Sequence, residues 1–144
     1  MLFLTFQLGA DRYAMEAAQL IEVVAMVELQ KIVGAPVGTA GEFDYRGASV
    51  LVLDLCQLSL GRASNLRLST RILLLRHEPQ PGVQQTLGLI AEHATELANK
   101  NLGDFASAGD ALVAPDPRGR LRLLQLEKLL TDELHDLISV YYPV

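Results

Sequence analysis

The segment Gly41–Leu55 reads GEFDYRGASVLVLDL and carries the clearest structural signal in the chain. Two β-prone runs flank Gly47-Ala48, and this spacing predicts a tight hairpin with its turn at Gly47. The second run includes Val50–Leu53, which is continuously apolar and therefore indicates a central strand covered on both faces. Asp54 suits the N-cap of a short apolar helix, and Gly61 is suited to end that helix.

Similar β-prone runs recur on both sides of this segment. They predict hairpins over residues 2–15, 72–90 and 111–124, the last turning at 115–119, and a strand over 21–27 after a helical turn at 17–20. Helices are predicted over residues 92–100 and along an apolar face from Leu123 to Ile138 that ends by Pro143. Many short strands with one C-terminal helix are typical of small barrels, so we expect a mainly β protein.

Composition narrows the classes of protein that the chain can represent. A length of 144 residues is enough for one domain, or for two very small barrels that share a core. Half of the residues are hydrophobic, so the chain can form such a core. The formal net charge of −5 argues against nonspecific binding to nucleic acid, and no segment approaches the roughly 20 apolar residues of a membrane-spanning helix. One cysteine cannot form an internal disulfide, and the N-terminus lacks the basic region of a signal peptide. A soluble, cytoplasmic protein is therefore expected.

Residues with catalytic or metal-binding potential do not form a recognisable constellation. The histidines are His77, His93 and His135, far apart in sequence and without a second ligand at metal spacing. Cys56 lies in an apolar segment and is expected to be a buried, inert thiol. Asp54 is read as a helix cap rather than a catalytic carboxylate, and Glu92-His93 as a solvated pair on the predicted helix. We predict no catalytic residues, no cofactor and no metal.

Two charged residues, Glu22 and Arg46, lie at positions that the sequence pattern suggests are partly buried. Glu22 lies within an apolar run, and Arg46 ends a strand directly before the Gly47 turn. A buried charge requires a partner, so one hypothesis is that the two residues form an ion pair. The alternative is that both are solvated charges at the edge of a sheet, where a pair contributes less than about 1 kcal/mol.

Several segments, in order and with compatible spacing, resemble the CheW family of chemotaxis coupling proteins. The central ones are Ala35-Pro36, Ala40-Gly41, Tyr45-Arg46-Gly47 and Val50–Leu55, with Phe3–Gly9, Tyr13–Glu16, Leu20–Val23, Gly88–Glu92 and Leu124–Leu130 on either side. The resemblance covers almost the whole chain. It implies a single domain over 1–144, made of two five-stranded SH3-like β-barrels packed side by side. The expected boundary lies near residues 62–70, and the N-terminal strand is a candidate to join the second barrel.

The resemblance also implies a function. Members of the family are noncatalytic adaptors between the cytoplasmic tip of a chemoreceptor and the regulatory domain of a histidine kinase, and they are recruited to membrane-associated receptor arrays without inserting into the membrane. The residues that it places at the receptor site are Leu20, Glu22, Gly41, Asp44, Tyr45 and Arg46. It assigns none to kinase binding.

The sequence departs from the family pattern in ways that affect this site. Asp44 replaces an asparagine and would allow Arg46 to be shared between two carboxylates, while Leu51 replaces a proline and Glu92 and Gln125 replace aspartates. Two other functions stay open: an accessory coupler in a nonflagellar pathway, such as surface sensing with cyclic-di-GMP output, and a small β-barrel hydrolase that uses Asp54 or Cys56.

Overall fold

In the computed structural model, which describes residues 1–142, the Gly41–Leu55 segment forms the predicted hairpin and helix. Arg46 and Gly47 occupy the turn with φ values of 51° and 86°. Positive φ at both central positions is the geometry of a type I′ turn, whose twist matches that of the paired strands. Asp54 caps the helix by accepting a 3.0 Å hydrogen bond from the Cys56 amide, and Gly61 ends it in the left-handed conformation.

Ten strands and three α-helices are present within residues 1–142. The strands are β1 (Leu2–Leu8), β2 (Asp11–Glu16), β3 (Leu20–Ala25), β4 (Thr39–Tyr45), β5 (Ala48–Asp54), β6 (Arg71–Gln80), β7 (Val83–Asn99), β8 (Ala106–Ala108), β9 (Ala111–Asp116) and β10 (Gly119–Leu123). The helices are α1 (Leu55–Leu60), α2 (Leu126–Leu129) and α3 (Asp132–Tyr141), with 3-10 turns at Ala17–Gln19 and Leu102–Asp104. No helix in this part of the chain has the length and apolar composition to cross a bilayer.

The strands form two small barrels that share β7. The first barrel has the order β4-β5-β7-β6-β3, and an antiparallel bridge between Gln30 and Glu42 closes it. The second barrel contains β7, β1, β2, β10, β9 and β8 in that order. β7 can serve both because its first half pairs with β5 and β6, and its second half with β1.

Three apolar clusters fill this architecture. The largest lies between the barrels and includes Phe6, Leu53 and Leu73, with α3 covering it through Leu134 and Ile138. Each barrel also has its own smaller core. The strands that meet the central core are buried on both faces, which explains the continuous apolar runs in their sequences.

The hydroxyl of Tyr142 fastens the C-terminal end of the chain to the first barrel. It accepts a 2.9 Å hydrogen bond from the Leu51 amide and donates a 2.6 Å hydrogen bond to the Thr86 carbonyl. Burial raises the pKa of this phenol to about 12. The hydroxyl therefore satisfies a donor and an acceptor on neighbouring strands β5 and β7.

The structure corrects the prediction of a helix over residues 92–100. Residues 92–99 continue β7, where Leu97, Ala98 and Asn99 pair with β1. Alanine, glutamate and lysine favour helices, but the backbone ladder with β1 and the burial of Ala91 and Ala94 override that preference.

The predicted single C-terminal helix is likewise interrupted. Leu123 ends β10, α2 has only four residues, and the chain is extended at Leu130 before Thr131 caps α3. The Thr131 hydroxyl accepts a hydrogen bond from the Leu134 amide, so capping chemistry starts a new helix within the apolar pattern. Pro143, which was expected to end the helix, lies outside the described residues.

The hairpin near the C-terminus turns at Pro117-Arg118, within the predicted 115–119 turn. Its first strand, β9, is longer than predicted because it continues to Asp116, whereas β10 has the predicted five residues and begins one residue earlier. Along β7 the pairing partners change from β5 and β6 to β1, and β6 pairs with β3. The N-terminal strand β1 lies between β7 and β2.

Candidate functional site

A cluster of three polar side chains lies on the rim of the first barrel, where β3 passes the β4–β5 turn. Glu22 accepts a 3.0 Å hydrogen bond from the Tyr45 hydroxyl and a 3.1 Å charged hydrogen bond from the Arg46 guanidinium, both on its Oε1 atom. The Arg46 guanidinium carbon also lies 5.1 Å from the centre of the Tyr45 ring, within the range of a cation–π contact. The structure therefore brings Glu22, Tyr45 and Arg46 together.

These side chains are accessible to another protein. The side chain of Arg46 is 75% exposed and that of Glu22 is 40% exposed, so the ion pair is at the surface. Desolvation and the hydrogen bond to Glu22 raise the pKa of Tyr45 above its ordinary value. A surface pair of this kind contributes less than about 1 kcal/mol to folding, which leaves its charges available for a partner.

Gly41, on β4, allows the close backbone packing that closes the first barrel next to this cluster. Its φ is +144°, and a Cβ at this position would lie 2.5 Å from the Gln30 carbonyl oxygen and 3.1 Å from the Leu29 Cβ. Only glycine allows residues 29–30 to pack this closely on β4 and form the Gln30–Glu42 bridge that closes the barrel. Gly41 is buried, so it shapes the site and presents no side chain to a partner.

Leu20 and Asp44, the other two residues that the sequence assigned to this site, have different environments. Leu20 is half-buried at the start of β3 and packs against the central core. Asp44 is exposed on β4, and within residues 1–142 the carboxylate that pairs with Arg46 is that of Glu22 alone. The expected sharing of Arg46 between Glu22 and Asp44 is therefore not seen.

An open groove of about 640 Å³ adjoins the start of β3, at the junction between the two barrels. Its apolar surface comes from Met15, Ala18, Leu75, Leu124 and Leu126. Its polar rim comes from Gln19, Arg76, His77, Glu78, Gln84, Gln125, Glu127 and Lys128. An apolar centre with a polar rim is the usual anatomy of a protein-binding surface.

Side-chain bonds hold the walls of the groove together. Arg76 donates a 3.0 Å hydrogen bond to the Ala18 carbonyl, which ties the 3-10 turn before β3 to β6. The buried His77 ring has its Nε2 atom 3.0 Å from Glu127 and its Nδ1 atom 3.3 Å from Gln85, so it connects β6, β7 and α2. Sequence reasoning missed these groove residues because they come from four separate segments. The one available signal was the Arg76-His77 pair that ends the apolar run of β6.

The two residues considered for a hydrolase are committed to other contacts. Asp54 accepts hydrogen bonds from the amides of Cys56 and Ser64 and a 2.6 Å hydrogen bond from the Ser64 hydroxyl. Cys56 is fully buried, and burial raises the pKa of its thiol, which suppresses the reactive thiolate. Neither group is placed to act on a substrate.

Glu92 is a correction to the sequence analysis, because it is buried rather than solvated. It accepts hydrogen bonds from the Arg62 guanidinium, the Asn65 amide and the Gly9 amide. Burial raises the pKa of this carboxyl, but the hydrogen bonds outweigh that effect, and the pKa falls to about 2. Glu92 therefore fastens the β1–β2 turn and the loop after α1 to β7. His93, beside it, is exposed.

Paired barrels, with a surface cluster and an apolar groove at their junction, define a class of protein that works by binding other proteins. The model of the CheW-like domain family matches residues 2–132, and the chain belongs to this family. A similar solved structure is that of the scaffolding protein TtCheW from Thermoanaerobacter tengcongensis, with a TM-score of 0.79 and 18% sequence identity. The match covers 92% of this chain and 89% of that chain, and at this identity it shows the fold. No curated protein matches the sequence at a significant level.

Proposed function

We propose that the chain is a noncatalytic adaptor that couples the cytoplasmic tip of a chemoreceptor to the regulatory domain of a chemotaxis-type histidine kinase. The observation that carries this proposal is that two features lie close together along the chain at β3. Gln19, directly before β3, lines the apolar groove. Three residues later, Glu22 meets Tyr45 and Arg46. A partner seated in the groove would therefore reach the charged cluster.

The groove suits a helical partner. A receptor tip is a helical hairpin, and a helix can bury an apolar stripe against Ala18, Leu124 and Leu126 while its polar residues meet the rim. Glu22 and Arg46 offer both signs of charge at one edge, which would fix the register and orientation of the helix. In this role the adaptor acts at the cytoplasmic side of a receptor array, and receptor state biases kinase activity through differential contacts.

A blocked groove tests the receptor half of this proposal. Ala18 is exposed and lines the groove, and its contact with Arg76 is made through its backbone carbonyl, so Ala18→Glu should fold normally. We expect this variant to bind a soluble receptor-tip fragment about tenfold more weakly by calorimetry, because it places a charge and added bulk in an apolar site. Ala106→Glu, on exposed β8, is the matched control and should bind like the unmodified chain.

The kinase half is tested by titrating the same proteins with the kinase regulatory domain. Saturable binding of the unmodified chain to both partners is the expected result. No binding to either cognate partner would contradict the adaptor function. Equal receptor binding by the Ala18→Glu variant and the unmodified chain would contradict the location of the receptor site. The genes beside the coding gene would separate flagellar chemotaxis from a surface-sensing pathway.

A further inference from the structure

A second surface, on the opposite end of β2 from the groove, carries a concentration of arginines. The turn before β10 and the strand itself read Arg118-Gly119-Arg120-Leu121-Arg122. Leu121 is fully buried in the second barrel, whereas Arg120 and Arg122 are exposed. Because side chains alternate along a strand, these two arginines share the outer face of β10.

The arginines surround a hollow of about 200 Å³. Its lining consists of Ala10, Asp11, Arg12, Val113, Arg118, Arg120 and Arg122. It shares no residue with the groove described above. Four guanidinium groups and one carboxylate thus face a single concave site.

Nearby carboxylates neutralise this site only in part. Arg12 pairs with Asp116, which also lies 3.7 Å from Lys100, and Arg118 pairs with Glu96 at 2.9 Å. The Arg122 guanidinium is 3.9 Å from Asp11, at the limit for an ion pair, and within residues 1–142 Arg120 forms no salt bridge. Five cationic side chains therefore meet three carboxylates, on a chain whose total charge is −5.

We propose that this hollow, lined by Arg12, Arg118, Arg120 and Arg122, binds an acidic segment of a partner protein. Guanidinium groups bind carboxylates through paired, planar hydrogen bonds, and Arg120 and Arg122 have unused donors that point outward. The occupant is a short acidic segment and not an extended polyanion. The hollow is small, and the chain as a whole carries a net charge of −5, which disfavours a long polyanion such as nucleic acid or an anionic membrane.

This inference goes beyond the proposed function and is tested without receptor or kinase. The full chain is titrated with hexaglutamate peptide at low ionic strength, and binding is followed through the backbone amide resonances. We expect saturable shifts centred on residues 10–12 and 118–122 that weaken as salt is added. The double variant Arg120→Glu, Arg122→Glu should bind about tenfold more weakly or worse, because attraction is replaced by repulsion.

Arg67→Glu is the matched control, since Arg67 is an exposed arginine on the loop after α1, outside the hollow. It makes the same charge change as each reversal in the double variant and should keep most of the affinity. Absence of saturable peptide binding, or an equal loss in Arg67→Glu and the double variant, would overturn the hollow as a site. Tighter binding of a DNA duplex, or of vesicles of phosphatidylcholine and phosphatidylglycerol, at the same arginines would overturn the acidic-protein occupant.

Discussion

Two glutamate–arginine pairs in this molecule have almost the same length and very different surroundings. The Arg62–Glu92 distance is 3.2 Å and the Arg46–Glu22 distance is 3.1 Å. The Glu92 side chain is 8% exposed and also accepts two backbone amides, whereas the Glu22 side chain is 40% exposed and shares its oxygen with a tyrosine. The distance between the charges therefore does not set the role of a pair; burial and the other donors do.

The local backbone explains how each glutamate reaches its place. β7 carries a bulge opposite β1, where the pairing shifts from Thr5–Glu96 to Gln7–Glu92, and His93 adopts a φ of 49° within it. A bulge re-aims the side chains of its strand, and this one turns Glu92 inward. Glu22 instead lies on an edge of the barrel, facing the turn that carries Arg46.

The largest expected effect separates the two pairs by stability. Glu92→Ala should lower the free energy of unfolding by about 3–4 kcal/mol, because the amides of Gly9 and Asn65 and the Arg62 guanidinium all lose the same buried acceptor. Urea denaturation measures this loss. Glu96→Ala is the control on the same strand, where the pair with Arg118 is exposed and should contribute less than about 1 kcal/mol. Equal losses in the two variants would refute the difference in roles.

The pH dependence of stability gives a second test of Glu92. Its pKa falls from 4.5 to about 2 on folding, so the unfolded chain binds more protons at this group between those values. The stabilisation is therefore fully present above about pH 4.5 and is lost as the pH falls towards 2, with a total of about 3 kcal/mol.

Glu92→Gln removes this titrating group and serves as the reference. The stability difference between the unmodified chain and the variant should shrink as the pH is lowered from 5 to about 2. A difference that stays constant over this range would show that the Glu92 carboxyl is not the group whose pKa is lowered.

The contrast between the pairs also shows which features local sequence can predict. The β4–β5 hairpin could be predicted because its turn depends on adjacent residues, although the two turn residues are Arg46 and Gly47 and not Gly47 and Ala48. The short helix capped by Asp54 and ended by Gly61 also depends on residues that are adjacent in the chain. Glu92 was misread because its donors come from two segments that are distant from it in the sequence, and the bulge that turns it inward is fixed by pairing with β1.

The candidate site also has one part that the sequence could predict and one part that it could not. Glu22 and Arg46 could be paired as a hypothesis because two charges stood out in apolar sequence near a turn. The groove could not be predicted, since Met15, Leu75 and Leu126 meet only when both barrels and the segment after β10 are in place. The helix predicted over residues 92–100 fails for a related reason, because tertiary pairing overrides intrinsic preference.

Arg46→Ala tests the accessible pair directly. Its effect on the free energy of unfolding should be below about 1 kcal/mol, because both charges stay hydrated when the pair is lost. Binding of the receptor tip should weaken by about fivefold to tenfold in calorimetry, which identifies a residue that acts in recognition. Gly41→Ala gives the opposite pattern, a clear loss of stability, because its Cβ collides with the Gln30 carbonyl. An unfolded Arg46→Ala protein would make the pair structural and remove Arg46 from the proposed site.

Tyr45→Phe should have the smallest effect and resolves how the exposed pair is held. The change removes the hydrogen bond to Glu22 but keeps the ring 5.1 Å from the Arg46 guanidinium, so the cation–π contact persists. Stability should fall by about 0.5–1 kcal/mol, and receptor-tip affinity by about twofold, because Glu22 keeps Arg46 as its partner. Tyr45→Leu removes the aromatic ring as well and should approach the binding loss of Arg46→Ala. If the phenylalanine variant already shows that full loss, the hydroxyl orients Glu22 for the partner, and the ring beneath Arg46 contributes little.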